Sequence, residues 1–260
     1  MVTTTRVRRT WPERVLAALL ALFWGFFWFG LIDLLVVVEQ DELFHDDYLM
    51  ESGWGLLYLV LVTVPLVVLV ARPWQAVALQ QVAVCAVAVL LGAAWGTAWP
   101  QLLNGLGLVA TVALLAWRGG SGPWRVRWSQ APSRAGLVLA ALALVAAVVY
   151  GWPLARGGPT ADITNGVSHL PMQASLGLAV AGVAGLAALT RSRLPACTAA
   201  FSALWLGVES IAYPDLRGSL GTIGGGCAVV WALLVVVINA FAPIRGGDKR
   251  GAERIRSSSH

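Results

Sequence analysis

Six carboxylates fall within the thirteen residues "EQDELFHDDYLME": Glu39, Asp41, Glu42, Asp46, Asp47 and Glu51, with His45 among them. Such a run suits three chemistries. It can bind a cation or basic ligand, pass a proton, or hold a metal that activates water. Two later stretches carry the same residue types. "DITNGVSHLPMQ" holds Asp162 and His169, and "GVESIAYPDLRGS" holds Glu209 and Asp215. Asp33 stands apart, inside an apolar run. There is no HExxH, and the acidic run lacks the DxDxDG order of a calcium loop. "GSLG" (Gly218 to Gly221) is not the GxSxG nucleophile elbow. "GGG" (Gly224 to Gly226) lacks the strand-and-turn setting of a phosphate loop. Cys85, Cys197 and Cys227 lie in or beside apolar runs without metal-type spacing and read as packing residues.

What must position these groups follows from composition. The 260 residues are 58% hydrophobic and 12% charged, with mean hydropathy +0.75. A soluble domain carries roughly 25% charged residues. The apolar residues come in blocks long enough for lipid. The net charge of +5 does not indicate a nucleic-acid partner, because the basic residues sit in short gaps and at the two ends.

Eight spans are expected: Val15–Val38, Trp54–Val70, Ala76–Ala94, Pro100–Trp117, Gly136–Pro153, Gln173–Leu189, Pro195–Tyr213 and Thr222–Phe241. The fold class is therefore all-α, a polytopic transmembrane helical bundle of about eight helices. Residues 1–14 form an N-terminal segment, 15–241 the membrane domain and 242–260 a basic tail. With the N-terminus inside, every Arg and Lys except Arg156 and Arg217 lies on the cytoplasmic side. Both termini are then cytoplasmic, and the tail serves as an orientation signal that meets anionic headgroups. Trp11, Trp74 and Trp117 mark the inner interface; Trp54, Trp95, Trp99 and Trp152 mark the outer one. The first apolar run is far longer than the roughly 7–15 residues of a signal-peptide core, and no small-x-small cleavage site follows it.

This topology gathers the titratable groups at the outer rim. Asp33 and Glu209 sit near the outer ends of helices one and seven, roughly 6–8 Å below the surface at 1.5 Å per residue. Intramembrane carboxylates of this kind mark functional sites. The candidate binding residues are Asp33, His45, Asp46, Asp162, His169, Glu209 and Asp215. The expected partners are the lipid bilayer and a cation or small polar ligand at the outer face. The same groups have a purely structural role open to them, with Arg156 and Arg217 covering the acids or Asp162 capping a turn. Phe44 and Tyr48, four apart, could also seat the acidic loop on lipid as a short surface helix. Deeper polar residues are few: Gln80 and Gln81 in helix three and Asn104 in helix four. A continuous polar route through the membrane is not expected.

Two further patterns bear on assembly. Gly177, Ala181 and Gly185 line one face of helix six, and Gly221 and Gly225 begin helix eight, which suits close helix packing. Residues 15–117 also map onto 136–241. At a shift of 122, "MESGWGL" from Met50 lies over "MQASLGL" from Met172. A parallel duplication of four helices plus four would build a pocket between halves.

The stretches "ESGWGLLY" (Glu51 to Tyr58), "DITNGVSHLPMQ" and "YPD" (Tyr213 to Asp215) resemble multi-pass membrane proteins of actinobacterial type. The resemblance runs the length of the chain and implies a cell-membrane location. It supplies no catalytic residues. The functional expectation is non-enzymatic binding, small-solute handling or assembly at an outward acidic and histidine rim. The alternative is a membrane-embedded metal-dependent hydrolase using His45, His169 and two carboxylates.

Overall fold

The computed structural model describes residues 11–39, 42–73, 75–119, 129, 132–157 and 169–240. Eight helices are long and apolar enough to cross a bilayer: α1 (Trp11–Glu39), α2 (Phe44–Ala71), α3 (Ala76–Gly96), α4 (Trp99–Arg118), α5 (Arg134–Ala155), α6 (Leu170–Thr190), α7 (Arg193–Ala212) and α8 (Gly221–Asn239). No strand occurs among the described residues. The chain is a multi-pass membrane protein. The basic tail 242–260 and residues 1–10 of the N-terminal segment lie outside the described residues.

Burial divides the helices into two shells. Between 61% and 78% of the apolar window is buried in α2, α3, α6 and α7, against 17–44% in α1, α4, α5 and α8. The second and third of the first four helices, and the second and third of the last four, therefore lie at the centre. A tryptophan ties α1 to α4, and another ties α5 to α8. Trp24 Nε1 of α1 donates to Thr111 Oγ1 of α4 at 3.1 Å, and Trp231 Nε1 of α8 donates to the Leu139 carbonyl of α5 at 2.9 Å.

Small residues set the closest crossings. Gly177 faces Ala147 and Gly185 faces Ala140, so that stripe joins α6 to α5. Gly225 crosses α7 at Gly207, where an added Cβ would lie 2.6 Å from the Gly207 carbonyl oxygen. In lipid this backbone approach supplies the dispersion contact that a hydrophobic effect cannot.

Two helices depart from regular geometry. In α1 a wide π-turn at Phe23–Phe27 leads into a break, where Phe29 has a φ of 62°. The helix restarts at Gly30 and runs to Glu39. In α2 a π-run spans Leu56–Thr63. The Leu61 carbonyl in that run accepts from Gln81 Nε2 at 3.0 Å and Cys85 Sγ at 3.6 Å. Polar side chains of α3 thus take up backbone capacity that a π-run frees.

Most span ends shift by a few residues from the sequence reading, and one boundary differs by ten. The second span starts at Phe44 rather than Trp54, and its residues Tyr48–Gly55 are all buried. The acidic stretch is therefore largely helical, a tight turn at Glu42–Asp47 running straight into α2. Glu51 lies inside the bundle because a histidine awaits it there.

Candidate functional site

Three consecutive residues near the start of α2 address three different neighbours. Successive helical side chains are about 100° apart, and the surrounding helices use each direction. Glu51 Oε1 stands 3.5 Å from His169 Nδ1, with both side chains almost fully buried. Ser52 Oγ donates to Glu209 Oε1 at 2.5 Å. Gly53 faces Gln173, whose Oε1 would be 1.6 Å from an added Cβ, so no larger residue fits without moving that amide. One turn of α2 therefore joins the starts of α2 and α6 to the end of α7.

Trp54 completes the local frame. Its ring lies 4.8 Å from the His169 ring, and its Nε1 donates at 3.0 Å to the carbonyl of Trp28, beside the break in α1. Tyr58, one turn on, is fully buried and stacks on Trp24 at 5.3 Å. His169 precedes α6 directly, and Pro171 occupies the first turn, where a missing N–H costs nothing.

A cavity of about 340 Å³ opens beside the Glu51–His169 pair. One wall is the C-terminal segment of α1, with Phe29, Asp33 and Glu39; the other includes Phe44, Glu51, Trp54 and His169. Asp33 and Glu51 are buried, while Glu39 is exposed at the mouth. The lining holds three carboxylates, one imidazole and three aromatic rings, and contains no Arg or Lys. Such a lining offers carboxylates to a positive charge and aromatic rings to apolar surface.

Glu209 belongs to a second centre, on the α7 side of α2. Its Oε1 also accepts from Trp205 Nε1, one turn back on α7, at 2.6 Å. Its Oε2 is buried and has no hydrogen-bond partner among the described residues.

The sequence candidates therefore separate into groups. Asp33 and His169 line the cavity; Glu209 is buried but apart from it. His45 is exposed, packed edge-on against Tyr48 and Tyr213 at 5.2 and 6.1 Å. Asp46 and Asp215 are exposed. Asp162 lies outside the described residues. Arg156 sits over the Trp152 ring at 5.1 Å, and Arg217 is exposed. Ser219 serves the start of α8, where its Oγ accepts from the Gly221 N–H at 3.0 Å. No three of His, Cys, Asp and Glu among the described residues converge as a metal requires.

Glu51, Trp54 and Gln173 were not among the sequence candidates. A signal for Glu51 exists: between Asp47 and Arg72 it is the only charged residue, so a span counted back from Arg72 encloses it. No family model, curated protein or solved structure matches the chain.

Proposed function

We propose that this protein binds and handles a small organic cation at an acidic pocket opening on the outer face of the cell membrane. The observation that carries the reading is the cavity beside Glu51 and His169, which combines carboxylates with aromatic walls. A metal ion would call for converging ligands; an ammonium group on an apolar body calls for this mixture. The volume suits a small ligand. Tetraethylammonium is the test probe. Equilibrium dialysis with the purified protein should give saturable binding, and Asp33→Asn should weaken it about tenfold, the scale of one charge-assisted contact. Equal uptake by wild type and Asp33→Asn would remove the pocket from the reading.

The outward orientation rests on arginine. Arg72, Arg118, Arg134, Arg191 and Arg193 adjoin the helix ends opposite Asp33, Glu51, His169 and Glu209, and positive residues are retained in the cytoplasm. In a background lacking the native cysteines, His45→Cys should react with an impermeant maleimide on intact cells. Labelling only after permeabilisation would invert the topology.

The halves 15–117 and 136–241 are read as copies of one four-helix unit. Support comes from the matching shells and from the paired tryptophan ties of α1 to α4 and α5 to α8. Co-expressed fragments cut between the halves should insert and purify together. Recovery of neither fragment from membranes would argue against two units.

A further inference from the structure

We propose that Glu209 is a proton-binding site coupled to the acidic pocket, so that one proton leaves Glu209 as one organic cation enters. The inference rests on the pocket reading above and adds the ion that moves against the ligand. It starts from an asymmetry between the two oxygens of one carboxyl group. Oε1 accepts two hydrogen bonds, from Ser52 Oγ and Trp205 Nε1. Oε2 is enclosed and receives none among the described residues.

That pattern fits the neutral acid. A carbonyl oxygen has two lone pairs, and both are met at Oε1; a proton on Oε2 then removes the charge that nothing there would balance. An ionised group in the same place would leave Oε2 desolvated without a donor, which is costly for a buried carboxylate. Carboxylates enclosed in membrane helices commonly carry protons for this reason.

The coupling is built into α2. Ser52, which binds Glu209, follows Glu51, which meets His169 at the pocket wall. A cation entering beside Glu51 and Asp33 brings positive charge into a low-dielectric region near Glu209 and favours its ionised form. The proton departs to water, so one positive charge replaces another. By reciprocity, a proton on Glu209 weakens the cation.

Other titratable groups lie on the elements packed near this centre. Glu51 and the phenols Tyr48 and Tyr58 lie on α2, and His169 precedes α6. Cys85 is on α3, Cys227 on α8, and Tyr213, Asp215 and Arg217 join α7 to α8. Asp215, Arg217 and Cys227 are exposed, which leaves Glu51 and His169, with Asp33 in the pocket wall, as the buried charged competitors for the proton.

The experiment uses the full chain in lipid nanodiscs, with weak buffer and a pH dye. Adding tetraethylammonium to wild type should release about one proton per bound cation, and affinity should fall about tenfold per pH unit as the medium is acidified. Glu209→Gln keeps an oxygen for Ser52 and Trp205. It should bind the probe with no proton release and no pH dependence. His169→Asn should still release the proton. A second measurement does not need the probe. Infrared difference spectra between acid and alkaline media should contain the carbonyl band of a protonated carboxyl that Glu209→Gln lacks. Cation binding without proton release in wild type, or release that persists in Glu209→Gln, overturns the coupling while leaving the pocket intact. Failure of wild type to bind tetraethylammonium removes the pocket and the coupling together. The infrared band then decides alone whether Glu209 holds a proton, and a band that survives in Glu209→Gln ends that assignment.

Discussion

Glu51→Leu is expected to lower the unfolding free energy by about 3–5 kcal/mol, the cost of removing one partner from a buried pair. Glu51 and His169 meet at 3.5 Å with little exposure on either side. With the acid gone, the imidazole stays inside the bundle, against Trp54 and in contact with the cavity. Adding His169→Leu to Glu51→Leu should recover most of the loss, because two apolar groups of similar size remove the demand that one polar group leaves behind. The measurement is unfolding in mixed micelles, followed by helical circular dichroism for wild type, the two single variants and the double variant. That set of four isolates the pair's interaction from the separate effects of each change. A loss below about 0.5 kcal/mol for Glu51→Leu, the range of an ordinary surface change, would mean that the pair does not hold α2 to the start of α6.

The second large effect is at Gly55, where α1 lies directly on α2. An added Cβ would stand 2.7 Å from both the nitrogen and Cβ of Leu34, and 2.9 Å from the Gly30 carbonyl oxygen. Two of these atoms are backbone, so no side chain can swing aside. Gly55→Ala must shift the segment Gly30–Glu39, which is the pocket wall bearing Asp33. Overpacking of this kind costs about 1–3 kcal/mol. Tetraethylammonium binding should weaken together with thermal stability in detergent. Gly226→Ala is the control, since nothing lies within 4 Å of a Cβ there, and a helical Gly→Ala change without a clash is favourable. Equal behaviour of the two variants would show that the contact between α1 and α2 does not shape the pocket.

Much of the fold could be read from the chain because lipid imposes a coarse rule. A helix that crosses it must be long and apolar, and all eight expected spans have counterparts among α1–α8. The rule fails where a polar residue is satisfied from a distant part of the sequence. Glu51 was assigned to a wet loop because nothing near it in the chain explains its burial. Its partner, His169, is 118 positions away. The same reasoning hid Ser52, whose acceptor Glu209 lies on α7. The break in α1 gave no warning either. "FWGFFWFG" contains no proline, and Phe29 takes a left-handed φ between two packed segments: aromatic packing and the Trp54 contact to the Trp28 carbonyl hold the one before it, and the close approach of Gly30 to Tyr58 and Leu59 holds the one after. Asp33 and Glu209 were legible as isolated charges in apolar runs. Their assignment to separate centres was not, since helix neighbours depend on packing that composition does not encode.

The most direct test is to locate a bound cation. A brominated tetraalkylammonium ion, soaked into crystals of the protein, gives an anomalous signal at the bromine position. The expected result is one peak inside the cavity bounded by Asp33, Glu51, Trp54 and His169, lost in crystals of Asp33→Asn. A peak in an apolar groove elsewhere on the bundle, or an empty cavity at saturating concentration, would contradict the account.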